Sequence, residues 1–200
     1  MQHIEFPKFT GLRCLMMPYI QGEVDSIPSE YHGYADILNS VVVKRGDVGY
    51  LTIDESVAQK GRPHRGTRAK TARALHTEAG RLPGCVYAWG GGSWGGNPNV
   101  VLSPNVRILL ANSVDQSCAL WDATHYNTSR DGDIGNFADM YPYSSAVFMK
   151  AGDVHEIGIL TPHESLPMKT TSPRQFLRIV SSGVFGREPY FTTNPLCAHE

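Results

Sequence analysis

Three residues stand out for the ligand chemistry they offer: His76 and Glu78 in Leu75-His76-Thr77-Glu78, and His163 in Thr161-Pro162-His163-Glu164. Positions i and i+2 of an extended strand face the same way. His76 and Glu78 can therefore reach one ion together, with His163 arriving from a distant strand. Two imidazoles and one carboxylate cover one face of a metal ion and leave three positions open for other ligands. The short motif alone is a weak signal. With 8 His and 19 Asp+Glu in 200 residues, a His-x-acid pair arises by chance about once, and His3-Ile4-Glu5 is another instance.

The order of features after His163 adds weight. Pro173-Arg174-Gln175-Phe176-Leu177-Arg178-Ile179-Val180 puts an arginine at the opening of a strand shortly downstream of the histidine. A guanidinium forms two parallel hydrogen bonds with a carboxylate and stays charged when buried. Arg178 shares a strand face with Arg174, and is an alternative for that role or for contact with an acidic substrate.

In this order the sequence resembles the Fe(II)/2-oxoglutarate-dependent oxygenases. Their double-stranded β-helix carries His-x-Asp/Glu, a distal His and then an Arg that clamps the cosubstrate. The likeness runs from Leu75 to Val180, with Glu78 where Asp is more usual. It implies a mainly β fold of jelly-roll or cupin-like form with a few short helices, and Fe(II) held by His76, Glu78 and His163. It further implies 2-oxoglutarate with its far carboxylate on Arg174, and hydroxylation of a substrate C–H bond. Two other readings stay open: a non-catalytic jelly-roll serving structure or ligand binding, for example in a virus, and a cupin-like metalloenzyme that needs no 2-oxoglutarate.

Other candidates are weaker. His155 sits in a good strand but nineteen residues before Arg174, and reads as core or as support behind the ligands. Asp122 and His125, three apart, face opposite sides of a strand and do not share an ion. Lys60, Arg62, Arg65, Arg68, Lys70 and Arg73 form a basic run before His76. Arg65 and Arg68 in particular are candidates for holding an anionic substrate, a nucleotide or nucleic acid among them. Trp89 precedes the glycine-rich stretch 90–96, Trp94 lies within it, and these two with Trp121 are candidate pocket walls. No G-x-x-x-x-G-K-[ST] loop and no G-x-S-x-G elbow is present, so neither nucleotide hydrolysis nor serine esterase chemistry has local support.

The elements that must position these residues read as short strands: Val41–Lys44, Val48–Ile53, Val86–Trp89, Val106–Ala111, Cys118–Ala123, Ala146–Lys150, Val154–Leu160 and Gln175–Val180. Arg45-Gly46-Asp47 and Ala151-Gly152-Asp153 are turns between them. Helix is expected at Ser29–Leu38 and for a turn or two over Arg65–Leu75. The end, from Tyr190, has little periodicity and reads as loosely packed.

Composition fits one β domain. The chain has 41% hydrophobic and 18% charged residues, with 20 Gly and 13 Pro, which excludes disorder and coiled coil. A net charge of −1 gives no overall field toward nucleic acid or anionic lipid. No apolar run is long enough to span a bilayer. The first residues lack a charged n-region followed by an apolar h-region, so the expected compartment is the cytoplasm. Cys14, Cys85, Cys118 and Cys197 are scattered and read as reduced thiols. Oligomeric state is left open.

Overall fold

A computed structural model of the chain describes residues 2–64, 73–82, 85–91, 94, 106–181, 186–187 and 190–197. The strands are β1 (Gln2–His3), β2 (Arg13–Ile20), β3 (Val48–Ala58), β4 (Leu75–His76), β5 (Ala79–Leu82), β6 (Cys85–Gly90), β7 (Arg107–Asn112), β8 (Cys118–Leu120), β9 (Val147–Phe148), β10 (Asp153–Gly158), β11 (His163–Ser165), β12 (Ser172–Val180) and β13 (Gly186–Arg187). Helical structure is limited to α1 (Ala35–Ser40) and 3-10 turns at Val24–Ser26, Ser29–Tyr34, Gly135–Met140 and Tyr143–Ser145. The protein is mainly β.

Strand order is β1-β10-β7-β12-β3-β2 in a six-stranded sheet and β4-β11-β8-β9 in a four-stranded one; β13, β6 and β5 form a third. Every pairing is antiparallel except β13 with β6. Between β3 and β12 the chain crosses back and forth between the two larger sheets.

Period-2 alternation along β3 and β12 decides what each face of the six-stranded sheet does. Leu51, Ile53, Leu177 and Ile179 point outward and pack beneath Ile27, Tyr31, Tyr34, Ile37 and Leu38 of the helical segment. Tyr50 and Val180 point the other way, toward Ile108, Leu110, Cys118, Leu120 and Met149 between the sheets. By the same parity Thr52, Asp54, Arg174, Phe176 and Arg178 face inward. Where the apolar residues give way to these, the space between the sheets opens into a pocket of about 360 Å³.

The four-stranded sheet alternates likewise. His76 pairs with His163 and His163 with Leu120 on the inner face, while Leu75, Ala119 and Glu164 lie on the outer one. There Leu75, Ala119, Trp121, Ile134, Tyr141 and Leu166 form a separate cluster.

Several expectations change. Residues 41–44 are not a strand, because Gln21 Oε1 accepts from the backbone N–H of Val43 (3.1 Å) and Lys44 (3.3 Å) and bends the segment into turns. The helix at Ser29–Leu38 is a 3-10 turn that passes into α1. Leu75, placed at the end of a helix, lies in β4, and positions 65–72 are outside the described residues. Residues 190–197 are not loose: fully buried Asn194 donates to Pro18 O (2.8 Å) and Ser26 O (2.9 Å). No helix among the described residues is long and apolar enough to cross a membrane.

Candidate metal centre

His76 and His163 face each other across the β4–β11 pair, with ring centroids 4.0 Å apart. Glu78 lies just past β4, where the chain turns toward β5, so the strand that was to carry both His76 and Glu78 stops between them. The turn keeps the two side chains together by another route. The Thr77 N–H donates to Gly132 O (2.9 Å), and the Thr77 hydroxyl donates to Ala79 O (3.0 Å). Gly132 has φ +79°, and a Cβ there would strike the Thr77 carbonyl, so glycine is what lets this brace close.

The result is a buried cluster in which one ligand atom from each of His76, Glu78 and His163 lies within 4.8 Å of the others. The hydrogen bonds behind the rings fix their chemistry. His76 Nδ1 is 2.8 Å from Ala74 O, and His163 Nδ1 is 2.9 Å from Thr161 O. Carbonyl oxygens only accept, so both Nδ1 atoms carry protons and both Nε2 atoms turn toward Glu78. Nε2 of His163 lies 3.0 Å and that of His76 3.8 Å from Glu78 Oε1. In a neutral ring that Nε2 is a lone pair facing a carboxylate oxygen. Such a contact is favourable only with a proton or a cation between the two atoms.

Glu78 also takes Arg178 Nη1 on Oε2. Burial alone would push the Glu78 carboxyl up; the Arg178 guanidinium beside it outweighs this and holds the carboxyl well below the usual carboxylate range. The group is thus an ionised ligand throughout the neutral range. Arg178 is committed to Glu78, while its Nε is buried with no hydrogen-bond partner among the described residues.

Arg174 differs. It is 2% exposed, Nε donates to Ser117 Oγ (3.1 Å), Nη2 donates to Cys118 Sγ (3.2 Å), and the guanidinium lies over Phe176. Burial raises the Cys118 thiol above its ordinary value in spite of Arg174, so the sulfur is no counter-ion. Among the described residues no carboxylate pairs with Arg174. A buried guanidinium without an anion is costly, and lining a pocket it is a ready site for one.

The rest of the lining includes Leu15, Thr52, Asp54, His64, Leu110, Phe176 and Tyr190. Asp54 Oδ2 accepts from His64 Nε2 at 2.8 Å, a pair the sequence did not reveal because it joins a strand residue to a loop. Trp89 and Trp94 are not among the described lining residues: β6, which carries Trp89, belongs to the third sheet, and the aromatic wall is Phe176 and Tyr190. Arg65 and Arg68 fall outside the described residues. His155 is half-buried in β10, paired with Leu110, and outside the pocket lining. His125 is buried, with Nδ1 against Tyr141 Oη (2.6 Å) and Nε2 against Asn127 O (3.1 Å).

An ion pair that the sequence did not announce ties the two histidine strands together. Arg73, three residues before His76, places Nε (2.9 Å) and Nη2 (2.7 Å) on Glu164 Oε2, beside His163, while Nη1 donates to Ala138 O and Tyr141 O. Its guanidinium also lies over Tyr143 and Trp121.

Comparisons with known protein families, curated proteins and solved structures find no match to this chain.

Proposed function

We propose that this protein is an Fe(II)- and 2-oxoglutarate-dependent oxygenase of the double-stranded β-helix type. The observation that carries the reading is one pocket holding two different unmet demands. Two Nε2 atoms and an ionised carboxylate converge within 4.8 Å of one another, and a buried arginine with no carboxylate partner among the described residues lines the same space.

The strand orders β10-β7-β12-β3 and β4-β11-β8-β9 support the fold reading, because successive strands alternate between two sheets as they wind. The chain order of the candidate residues supports the reading as well: the His-x-Glu motif starts at the end of β4, the distal His is on β11 and the Arg lies early in β12.

Iron bound by His76, Glu78 and His163, with 2-oxoglutarate, supplies activation of dioxygen for insertion into a C–H bond. The chain's own residues do the rest. Ala74 and Thr161 carbonyls hold the imidazoles in the metal-binding tautomer. Arg178 balances the Glu78 charge and keeps the carboxylate oriented. Arg174 offers its guanidinium to the far carboxylate of the cosubstrate, with Ser117 fixing its Nε. Leu110 and Phe176 keep that part of the pocket apolar, which strengthens the ionic contacts within it.

The test is turnover of 2-oxoglutarate to succinate by purified protein supplied with Fe(II), oxygen and ascorbate. Succinate formation above a metal-free control, lost in His163→Ala and Arg174→Ala, is the expected result. Iron binding without any effect of 2-oxoglutarate would favour the cupin-like metalloenzyme.

A further inference from the structure

The pocket continues beyond the metal cluster. Two more cavities, of about 270 and 220 Å³, adjoin it, and Asp54 lines all three. Leu15 and Thr52 are shared with the first and His64 with the second. These shared residues set the three spaces side by side along β2 and β3.

The rim of these spaces is basic. Arg13 lines both outer cavities and forms an ion pair with Asp54, Nε lying 3.1 Å from Oδ1, while its side chain is 68% exposed. Arg62 lines the outermost cavity, is exposed, and has no ion pair among the described residues. Its backbone is fixed: its N–H donates to Gln59 O and its carbonyl accepts from Met168 N. The guanidinium therefore extends from a firm anchor.

The sequence extends this charge. Between Glu55 and Glu78 there is no acid, and Lys60, Arg62, Arg65, Arg68, Lys70 and Arg73 supply six positive charges in a chain whose net charge is −1. Of these, Arg62 lines the outermost cavity and Arg73 is committed to Glu164.

We infer that this row of cavities binds single-stranded nucleic acid, with phosphates along Arg13 and Arg62 and one base in the pocket against Phe176 and Tyr190, its edge toward Asp54 and His64. Repeated cations along several adjoining cavities match repeated phosphates, and the aromatic wall beside a hydrogen-bonding pair suits a planar base. The inference names the substrate class of the proposed oxygenase and rests on that reading for the chemistry; the binding itself requires no metal.

The experiment is fluorescence anisotropy of the metal-free full chain with a short labelled single-stranded DNA or RNA, measured over a range of salt. Binding should weaken with salt, and the double variant Arg13→Gln/Arg62→Gln should reduce the slope of log affinity against log salt by about 1.4, about 0.7 for each lost phosphate contact. At low salt that variant should bind about tenfold more weakly, whereas Lys44→Gln, whose ion pair with Asp47 lies elsewhere, should bind as the parent does. Absence of oligonucleotide binding, an unchanged slope, or equal competition by polyglutamate or a phosphopeptide overturns the inference. Iron and 2-oxoglutarate binding, measured on the same samples, separates that failure from failure of the oxygenase reading.

Discussion

Glu78 and Arg178 form a buried ion pair at a separation of 100 residues, and the same carboxylate faces the Nε2 atoms of His76 and His163. Before any metal arrives, Arg178 is what makes an ionised Glu78 tolerable in the pocket. Glu78→Gln in metal-free protein should therefore cost more than the loss of a hydrogen bond, about 3–5 kcal/mol, since it leaves the Arg178 charge buried without its carboxylate. Urea unfolding measures this directly, and a loss below about 1 kcal/mol would show that the pair is not the internal counterweight described.

Arg73 and Glu164 hold the two histidine strands in register from the outer face of the sheet. Arg73→Met leaves Glu164, which is 2% exposed, with only the Tyr143 hydroxyl (3.2 Å) from that set of partners. The expected destabilisation is about 3 kcal/mol, or a melting temperature lower by roughly 10 °C in a chain of this size. Metal affinity should fall in the same variant although Arg73 touches none of the three ligands. An unaltered melting curve contradicts the role.

Gly132 combines a positive φ with a carbonyl in the space a side chain would take. Gly132→Ala should cost at least about 1 kcal/mol from the left-handed backbone alone. Displacement of Thr77 should in addition weaken metal binding measured by calorimetry, whereas Gly46→Ala, also at positive φ but with open space around it, should leave metal affinity as it was.

Glu55 gives a pH dependence unrelated to the metal cluster. Its Oε2 accepts from the backbone N–H groups of Thr10 (2.7 Å), Gly11 (2.8 Å) and Leu12 (3.0 Å), and its Oε1 from Tyr34 (2.7 Å) and Gln175 (2.9 Å). Burial alone would raise the carboxyl, but these hydrogen bonds lower it from 4.5 to about 2. A depressed carboxyl contributes stability that is present above pH 4.5 and lost as pH falls toward 2. The contribution is about 3 kcal/mol. Glu55→Gln should flatten that part of the acid unfolding profile; a profile as steep as the parent's would assign the loss to other carboxylates.

The convergence of His76, Glu78 and His163 was legible because their residue types carry ligand chemistry of their own. His76, Glu78 and His163 could be picked out without knowing the path between them. Arg174 was singled out by its place at the opening of a strand downstream of His163, and the structure puts its buried side chain on the pocket lining. Their hydrogen-bond and ion-pair partners were not. Nothing local links Arg178 to Glu78 or Arg73 to Glu164, since each contact depends on how the two sheets close.

The same limit applies to the fold. The long central strands β3 and β12 show in β-branched and apolar runs, but β2 was missed. It carries Pro18, and a register shift between Cys14 and Met17, with Met16 at φ +47°, breaks the alternation that would mark it. Strands β4 and β11, which bear the histidines, are two and three residues long and hold too little pattern to be read. Glu55 was passed over because a charged residue in a strand ordinarily faces solvent, whereas here the loop at 10–12 folds over it.

Anaerobic titration of the protein with Fe(II) and 2-oxoglutarate, followed by visible absorption, tests the central claim most directly. The account predicts a charge-transfer band that saturates at one iron per chain, disappears in His163→Ala, and needs a markedly higher 2-oxoglutarate concentration in Arg174→Ala. No band with the parent protein, or a band indifferent to both substitutions, would contradict it.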